Sequence, residues 1–159
     1  MARRVFFSFH YERDVWRVGP VRNSWVTKPD REAAGFWDAA AWEEVQKKSE
    51  DAVMRWIDKQ LEGASVTAAL IGAETSERKY VQYEIKKSWE EGKGLFGIYI
   101  HKLKDRNGNI DRQGNCPFDN LTFKRNGNVV NIPVYDWVTH DGYNNLANWV
   151  DKAAKEAGR

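Results

Sequence analysis

The feature that most restricts the fold of this sequence is the apolar run at residues 66–72, VTAALIG. A strand without regular alternation of polar and apolar residues is buried on both faces, which is typical of central strands in parallel sheets covered by helices. Parallel strands need long crossover connections, which are usually helical. The run therefore predicts an α/β protein with a mainly parallel sheet.

Other segments have the composition of further strands. Residues 4–9 (RVFFSF) are rich in aromatic and β-branched side chains, and residues 95–101 (LFGIYIH) form another apolar run. Residues 34–38 (AGFWD) are predicted to form a short second strand. A hairpin turn is predicted at residues 124–128 (KRNGN), and it leads into the apolar segment 129–137.

Three amphipathic helices are predicted between these strands. Their spans are residues 42–61, a segment capped by Thr75 or Ser76 and closed by Gly92, and about residues 143–157. Residues 10–30 contain Gly19, Pro20 and Pro29, and are predicted to form a loop that can include a helical turn. Residues 102–119 are polar and rich in Gly and Asn, so we predict a long loop of the kind that often carries function. Alternating strands and helices predict a doubly wound sheet, in which ligands bind outside the carboxyl ends of the strands.

The composition limits the class of protein. The chain has 159 residues, enough for one compact core, so we predict a single domain over residues 1–159. Its 25 Lys and Arg residues nearly balance 23 Asp and Glu residues, which gives no reason to expect nucleic acid or a membrane surface as partner. The single cysteine excludes an internal disulfide and favours a reducing compartment. The N-terminal apolar run is too short for a signal peptide, so we expect a cytoplasmic protein.

The sequence offers no metal-binding motif. His10, His101 and His140 do not have metal-ligand spacing with one another or with Cys116. Neither a P-loop nor a GxGxxG motif is present, so any nucleotide must be held in another way. We therefore predict neither a metal nor a resident cofactor.

Glu84 stands out on the predicted helix with sequence KYVQYEI. At about 100° per residue, Tyr80 and Glu84 lie about 40° apart on the same side of a helix. The neighbouring stripe that must face the sheet consists of Val81, Ile85, Ser88 and Trp89. Glu84 is thus expected at the border between core and solvent, where restricted access of water raises the pKa of a carboxyl group. The alternative is a surface glutamate that pairs with nearby lysines.

Four segments together resemble the TIR-like proteins of Thoeris antiphage defence. They are RVFFSFHYERD, AGFWDAAAWEE, VTAALIGAET and RKYVQYEIKKSWEEGKGLFGIYIH. They occur in this order with compatible spacing, and the resemblance is strongest over residues 1–120. It implies a flavodoxin-like TIR domain with a five-stranded, mainly parallel sheet.

The resemblance also implies an activity. Enzymatic TIR domains use NAD as a substrate and cleave its nicotinamide–ribose bond with a glutamate in a Trp-x-x-x-Glu pattern, which reads Tyr80-x-x-x-Glu84 here. It implies a cyclic ADP-ribose-type product that activates an effector protein, and self-association of the chain. The alternatives are a non-enzymatic TIR-type interaction module and a nucleotide binder without turnover, because fold alone does not determine function.

Further substrate-binding residues are expected near the strand ends. Phe9 and His10 end the first strand and could contact the nicotinamide side of NAD, although Phe9 could equally be core. Asp38 follows the predicted second strand and could instead cap the helix that begins near Trp42. Asn23 is assigned by its position in the first loop. Ser8 is rejected as a nucleophile, because no base accompanies it.

Overall fold

Five parallel strands form the central sheet of the protein, in the order β2-β1-β3-β4-β7. The computed structural model describes residues 3–29, 31–34 and 39–159. The strands of the sheet are β1 (Arg3–Ser8), β2 (Arg31–Ala34), β3 (Val66–Ile71), β4 (Gly94–Tyr99) and β7 (Val134–Asp136). This order is that of flavodoxin-like sheets. The predicted fold class, with VFFSF and VTAALIG as adjacent strands, is confirmed.

Helices cover both faces of this sheet. They are α1 (Tyr11–Val26), α2 (Ala39–Gln46), α3 (Glu50–Leu61), α4 (Lys79–Glu90) and α5 (Gly142–Glu156). Helices α1 and α5 pack on one face, and α2, α3 and α4 pack on the other. Among the described residues, no helix has both the length and the apolar character needed to cross a bilayer.

The alternating side chains of β1 separate the two layers. Val5 and Phe7 are buried against α1 and α5, whereas Phe6 is buried against α2 and α3. Because side chains two apart on a strand share a face, Ser8 follows Phe6 onto the second layer. Ser8 thus points opposite to Phe7, and its hydroxyl contacts Glu84 of α4.

The predicted loop at residues 10–30 was wrong, because residues 11–26 form helix α1. Pro20 lies inside the helix, although proline lacks the N–H that an interior position would donate. Two buried charged residues, Asp14 and Arg17, interrupt the apolar stripe of this helix. The spacing of Val18, Val21 and Trp25 is nevertheless helical, and it was the signal that the prolines obscured.

Two other boundaries also differ from the prediction. The helix predicted at residues 42–61 is two helices, separated at Ser49, whose hydroxyl accepts a hydrogen bond from the backbone N–H of Ala52 and starts α3. The second strand was predicted to begin at Ala34, where the observed strand ends. Residues 35–38 lie outside the described part of the chain.

The region after β3 also begins differently from the prediction. Thr75 starts a short 3₁₀ turn (Thr75–Glu77), and its hydroxyl accepts a hydrogen bond from the N–H of Gly72, so it does not cap α4. The predicted end of α4 at Gly92 is confirmed by its left-handed conformation, with φ of +72°.

The predicted hairpin near the C-terminal end of the chain is confirmed. Its strands are β5 (Phe123–Arg125) and β6 (Asn128–Val130). They are joined by Asn126 and Gly127, both with positive φ, which is the conformation that two-residue hairpin turns require.

Candidate active site

A pocket opens where β1 and β3 end and the chain leaves the sheet in opposite directions. This is the topological switch point, where open α/β sheets bind ligands. The enclosed space of the pocket has a volume of about 20 Å³, and the pocket is partly open to solvent. Its lining residues are Phe9, His10, Tyr11, Glu12, Trp42, Arg78, Tyr80, Val81 and Glu84.

Glu84 lies at the floor of this pocket and is buried, with 3% of its surface exposed. Glu84 is therefore more deeply buried than the predicted position at the border between core and solvent. One carboxylate oxygen, Oε1, accepts a hydrogen bond of 2.8 Å from Oγ of Ser8. Burial raises the pKa of Glu84 to about 8, and the hydrogen bond from Ser8 opposes that rise.

Hydroxyl groups hold the helix that carries Glu84 against the sheet. Ser88 donates through Oγ to the backbone oxygen of Glu84, and its Oγ lies 2.7 Å from Oγ1 of Thr67 on β3. Since Ser88 has only one hydroxyl hydrogen, Thr67 is the donor of the second bond. Val81 and Ile85 pack on the same side of the helix. These contacts fix the position of α4 on the sheet, and with it the position of Glu84 relative to the end of β1.

Four aromatic rings form one wall of the pocket. The ring centroids of Phe9 and Tyr11 are 6.1 Å apart, and those of Tyr11 and Trp42 are 5.9 Å apart. Tyr80 meets Trp42 edge to face at 6.5 Å. Such a wall offers apolar area to a planar ring and keeps water from the carboxyl group beneath it.

Polar groups surround the mouth of the pocket. Oε1 of Glu12 accepts hydrogen bonds from Nε1 of Trp42 at 3.0 Å and from Nε2 of Gln46 at 2.9 Å. Oε2 of Glu12 lies 3.2 Å from Nδ1 of His10 and 3.8 Å from Nη2 of Arg78. Burial lowers the pKa of His10, and the charge of Arg78 lowers it further, which favours neutral imidazole at pH 7.

Glu12 remains ionised at neutral pH. Its partial burial raises the pKa, but the hydrogen bonds from Trp42 and Gln46 and the charge of Arg78 outweigh this effect. The net result is a pKa below the ordinary value for glutamate. The pocket thus carries a carboxylate at its mouth and a carboxyl group with a raised pKa at its floor.

The structure brings together most of the site residues that the sequence predicted. Phe9, His10, Trp42, Tyr80 and Glu84 all line the pocket. Phe9 also packs in the core cluster with α1, and its contact with the nicotinamide side of NAD stays a prediction.

The predicted set also includes Asn23 and Asp38. Asn23 lies exposed on helix α1, where the sequence predicted a loop, and it is not among the lining residues. Asp38 lies outside the described residues, so its assignment stays a prediction.

Sequence reasoning missed four contributors to the site. Ser8 was considered only as a nucleophile, whereas its observed role is to donate a hydrogen bond to Glu84. Tyr11 and Glu12 follow β1 directly, and their position past a strand end was the available signal. Arg78 was missed because nothing in its local sequence distinguishes it from the surface lysines nearby.

The arrangement suits a reaction in which positive charge develops near the floor of an apolar pocket. A buried carboxylate interacts strongly with such a charge, since water screens it poorly. The described residues contain no group of three His, Cys, Asp or Glu side chains that could hold a metal ion.

Comparisons with known proteins agree on one family. The family model described as "Thoeris protein ThsB, TIR-like domain" matches residues 6–105, a range that contains every residue lining the pocket. A curated protein of Bacillus cereus (strain MSX-D12), named "Putative cyclic ADP-D-ribose synthase ThsB1", is 43% identical over 163 aligned residues. The alignment covers 100% of this chain and 85% of that protein.

Proposed function

Because the chain belongs to the TIR-like domain family of the Thoeris protein ThsB, we propose that it is an NAD-consuming enzyme of antiphage defence. It cleaves the nicotinamide–ribose bond of NAD and forms a cyclic ADP-ribose-type signalling molecule. The single observation that carries this proposal is the buried carboxyl group of Glu84 at the floor of an aromatic pocket, held by Ser8. The name of the Bacillus cereus relative supports the same reaction.

The bond that breaks explains why one carboxylate is enough. Nicotinamide is a cationic ring in NAD and departs as a neutral molecule, so it needs no general acid. The ribose that remains has oxocarbenium character, as in glycoside hydrolysis. An ionised Glu84 stabilises this positive charge or binds the ribose hydroxyls, and the stabilisation is greatest in the transition state.

Substrate binding must also remove a proton from Glu84. With a pKa of about 8, the side chain is mostly protonated at pH 7 in the empty pocket. The cationic nicotinamide ring lowers the pKa when it enters, because an opposite charge nearby favours the ionised form. The proton then passes to solvent, and the carboxylate faces the ribose.

Cyclisation requires that a nucleophile within the ADP-ribose group reaches the ribosyl cation before water does. The aromatic wall of Phe9, Tyr11, Trp42 and Tyr80 serves this purpose, because it shields the floor of the pocket from solvent. We infer that the product then activates an effector protein that senses it. Self-association of the chain would complete the cover over the pocket.

The test is to incubate the purified protein with NAD, with and without lysate from phage-infected cells, and to identify the products by mass spectrometry. We expect nicotinamide together with a product that has the mass of ADP-ribose less one water. A product with the full mass of ADP-ribose would indicate hydrolysis without cyclisation. Unchanged NAD under both conditions would favour the non-enzymatic alternatives.

A further inference from the structure

Glu12 occupies the mouth of the pocket in a way that the reaction at Glu84 does not require. Four donor groups surround its carboxylate: the indole of Trp42, the amide of Gln46, the imidazole of His10 and the guanidinium of Arg78. Its side chain is 44% exposed, so it faces solvent at the entrance. A carboxylate within such a set of donors marks a position that accepts an anion.

Arg78 is the permanently charged cation among the described residues that line the pocket. Its side chain is 41% exposed, and its Nη2 lies 3.8 Å from Oε2 of Glu12. This separation is too long for a direct hydrogen bond. The N–H groups of the guanidinium can therefore donate to another anion. Arginine binds phosphate well, because its planar group offers several donors at once.

His10 adds a second donor position at the same place. Its side chain is nine-tenths buried, and Nδ1 makes no hydrogen bond with proper geometry, although it lies 3.2 Å from Oε2 of Glu12. A buried polar atom without a hydrogen bond costs free energy, which a bound ligand can recover. The imidazole and the guanidinium of Arg78 thus converge on the position that one oxygen of Glu12 occupies.

We propose that Glu12 is an internal anion that holds the phosphate-binding position of the pocket until the diphosphate group of the substrate displaces it. This inference rests on the proposed function, because it takes a dinucleotide as the substrate. Two anions cannot share one set of donors without strong repulsion. Binding of the diphosphate to Arg78 and His10 therefore moves the carboxylate of Glu12 away.

Displacement of Glu12 has a second consequence. Trp42 and Gln46 both belong to α2, so the hydrogen bonds of Glu12 tie this helix to the start of α1. The enclosed space of the pocket, about 20 Å³, is far too small for a dinucleotide, so the pocket must widen when the substrate enters. Displacement of Glu12 breaks both hydrogen bonds and vacates the mouth of the pocket, so that substrate binding and widening of the mouth occur together.

The test is calorimetric titration of the whole chain with ADP-ribose, which has the diphosphate but not the bond that breaks. Glu12→Gln should bind ADP-ribose about fivefold more tightly, since one like-charge repulsion at a hydrated site is removed. Arg78→Gln should bind it about tenfold more weakly, the usual loss for one charged hydrogen bond. Nicotinamide, which has no phosphate, should bind all three proteins equally.

Two controls match these variants. Glu44→Gln and Arg55→Gln make the same changes at exposed positions of α2 and α3, and they should leave the affinity for ADP-ribose unchanged. Gln46→Ala removes a donor that retains Glu12 without changing any charge, and it should tighten binding of ADP-ribose about twofold to fivefold. Thermal unfolding of each variant checks that it folds. If Glu12→Gln does not fold, Gln46→Ala still tests whether Glu12 occupies the phosphate-binding position.

The outcomes separate this inference from the proposed function. Unchanged or weaker binding of ADP-ribose by Glu12→Gln and Gln46→Ala would overturn the inference, even if the protein consumes NAD. Tighter binding by these variants in a protein that leaves NAD intact would support the phosphate position while the proposed reaction fails. Absence of ADP-ribose binding in every variant would also overturn the inference.

Discussion

Ser8 and Glu84 lie 76 positions apart in the sequence, yet their side chains form a hydrogen bond of 2.8 Å inside the protein. The serine ends the central strand β1, and the glutamate lies in the middle of α4. One hydroxyl group thus connects the candidate catalytic carboxyl group to a strand that is paired on both sides. It also opposes the effect of burial on the pKa of Glu84.

The first prediction concerns the rate of NAD cleavage. Glu84→Gln preserves the volume of the side chain and removes its charge, so it should reduce kcat by about 10²-fold or more. KM for NAD should change much less, because the charge matters most in the transition state. The measurement is the initial rate of nicotinamide release. Glu90→Gln, at an exposed position of the same helix, is the matched control and should have the parent rate.

A second prediction concerns stability as a function of pH. The ordinary pKa of 4.5 applies to Glu84 in the unfolded chain, and burial raises the value to about 8 in the folded protein. Between these values the folded state retains a proton that the unfolded state loses, so this group lowers the stability as pH rises from about 4.5 to 8.

Glu84→Gln should remove this pH dependence. The free energy of unfolding of the variant relative to the parent should rise over the same interval, by on the order of 3 to 5 kcal/mol in total. Other titrating groups, such as Asp14, contribute equally to both proteins and cancel in the difference. Urea unfolding at several pH values measures it. A constant difference between pH 5 and 8 would mean that Glu84 is ionised in the folded protein at pH 5.

The third prediction concerns Ser8 as a positioning residue. Ser8→Ala removes the hydrogen bond that opposes the rise of the pKa of Glu84, so the pKa should increase further. The pH profile of kcat/KM should then shift to higher pH, and raising the pH should restore part of the lost activity. A uniform loss at all pH values would assign Ser8 a packing role only. Ser24→Ala removes a hydroxyl from α1, outside the pocket, and should leave the profile unchanged.

The fourth prediction concerns metal ions. NAD cleavage should continue at the parent rate in EDTA, because the part of the chain that the structure describes has no cluster of ligands for a catalytic ion. The measurement is nicotinamide release after dialysis against the chelator. Loss of activity that zinc or magnesium restores would contradict this prediction.

The sequence predicted the fold class because its strongest signals are local. The runs at residues 4–9 and 66–72 are apolar without regular alternation, and burial on both faces follows from composition alone. Helix α1 was missed because its buried face carries Asp14 and Arg17. Arg17 donates to the backbone oxygens of Leu103 and Asn109, partners that are far away in the sequence.

Local sequence also fails to predict those features of the site that depend on contacts between distant segments. Helical geometry placed Glu84 beside Tyr80, but its hydrogen bond to Ser8 on β1 and the contact of Tyr80 with Trp42 on α2 involve other elements. Arg78 and Glu12 meet only because the loops after β1 and β3 adjoin at the switch point. The angular position of a residue on a helix predicts which way its side chain points. How deeply the side chain is buried depends on the residues from other elements that pack over it.

Strand β1 is synthesised well before β3, its neighbour in the sheet. Val5 pairs with Val66, which the ribosome adds 61 residues later, a delay of about 3 to 12 s at usual translation rates. During this time β1 lacks its neighbour β3, and only β2 is available to pair with it. Glu84 is added later still, so a nascent chain that ends before residue 84 lacks the candidate catalytic carboxyl group. Strands β4 and β7 follow Glu84 in the sequence, so the sheet beneath the pocket is complete only after residue 136 has been added.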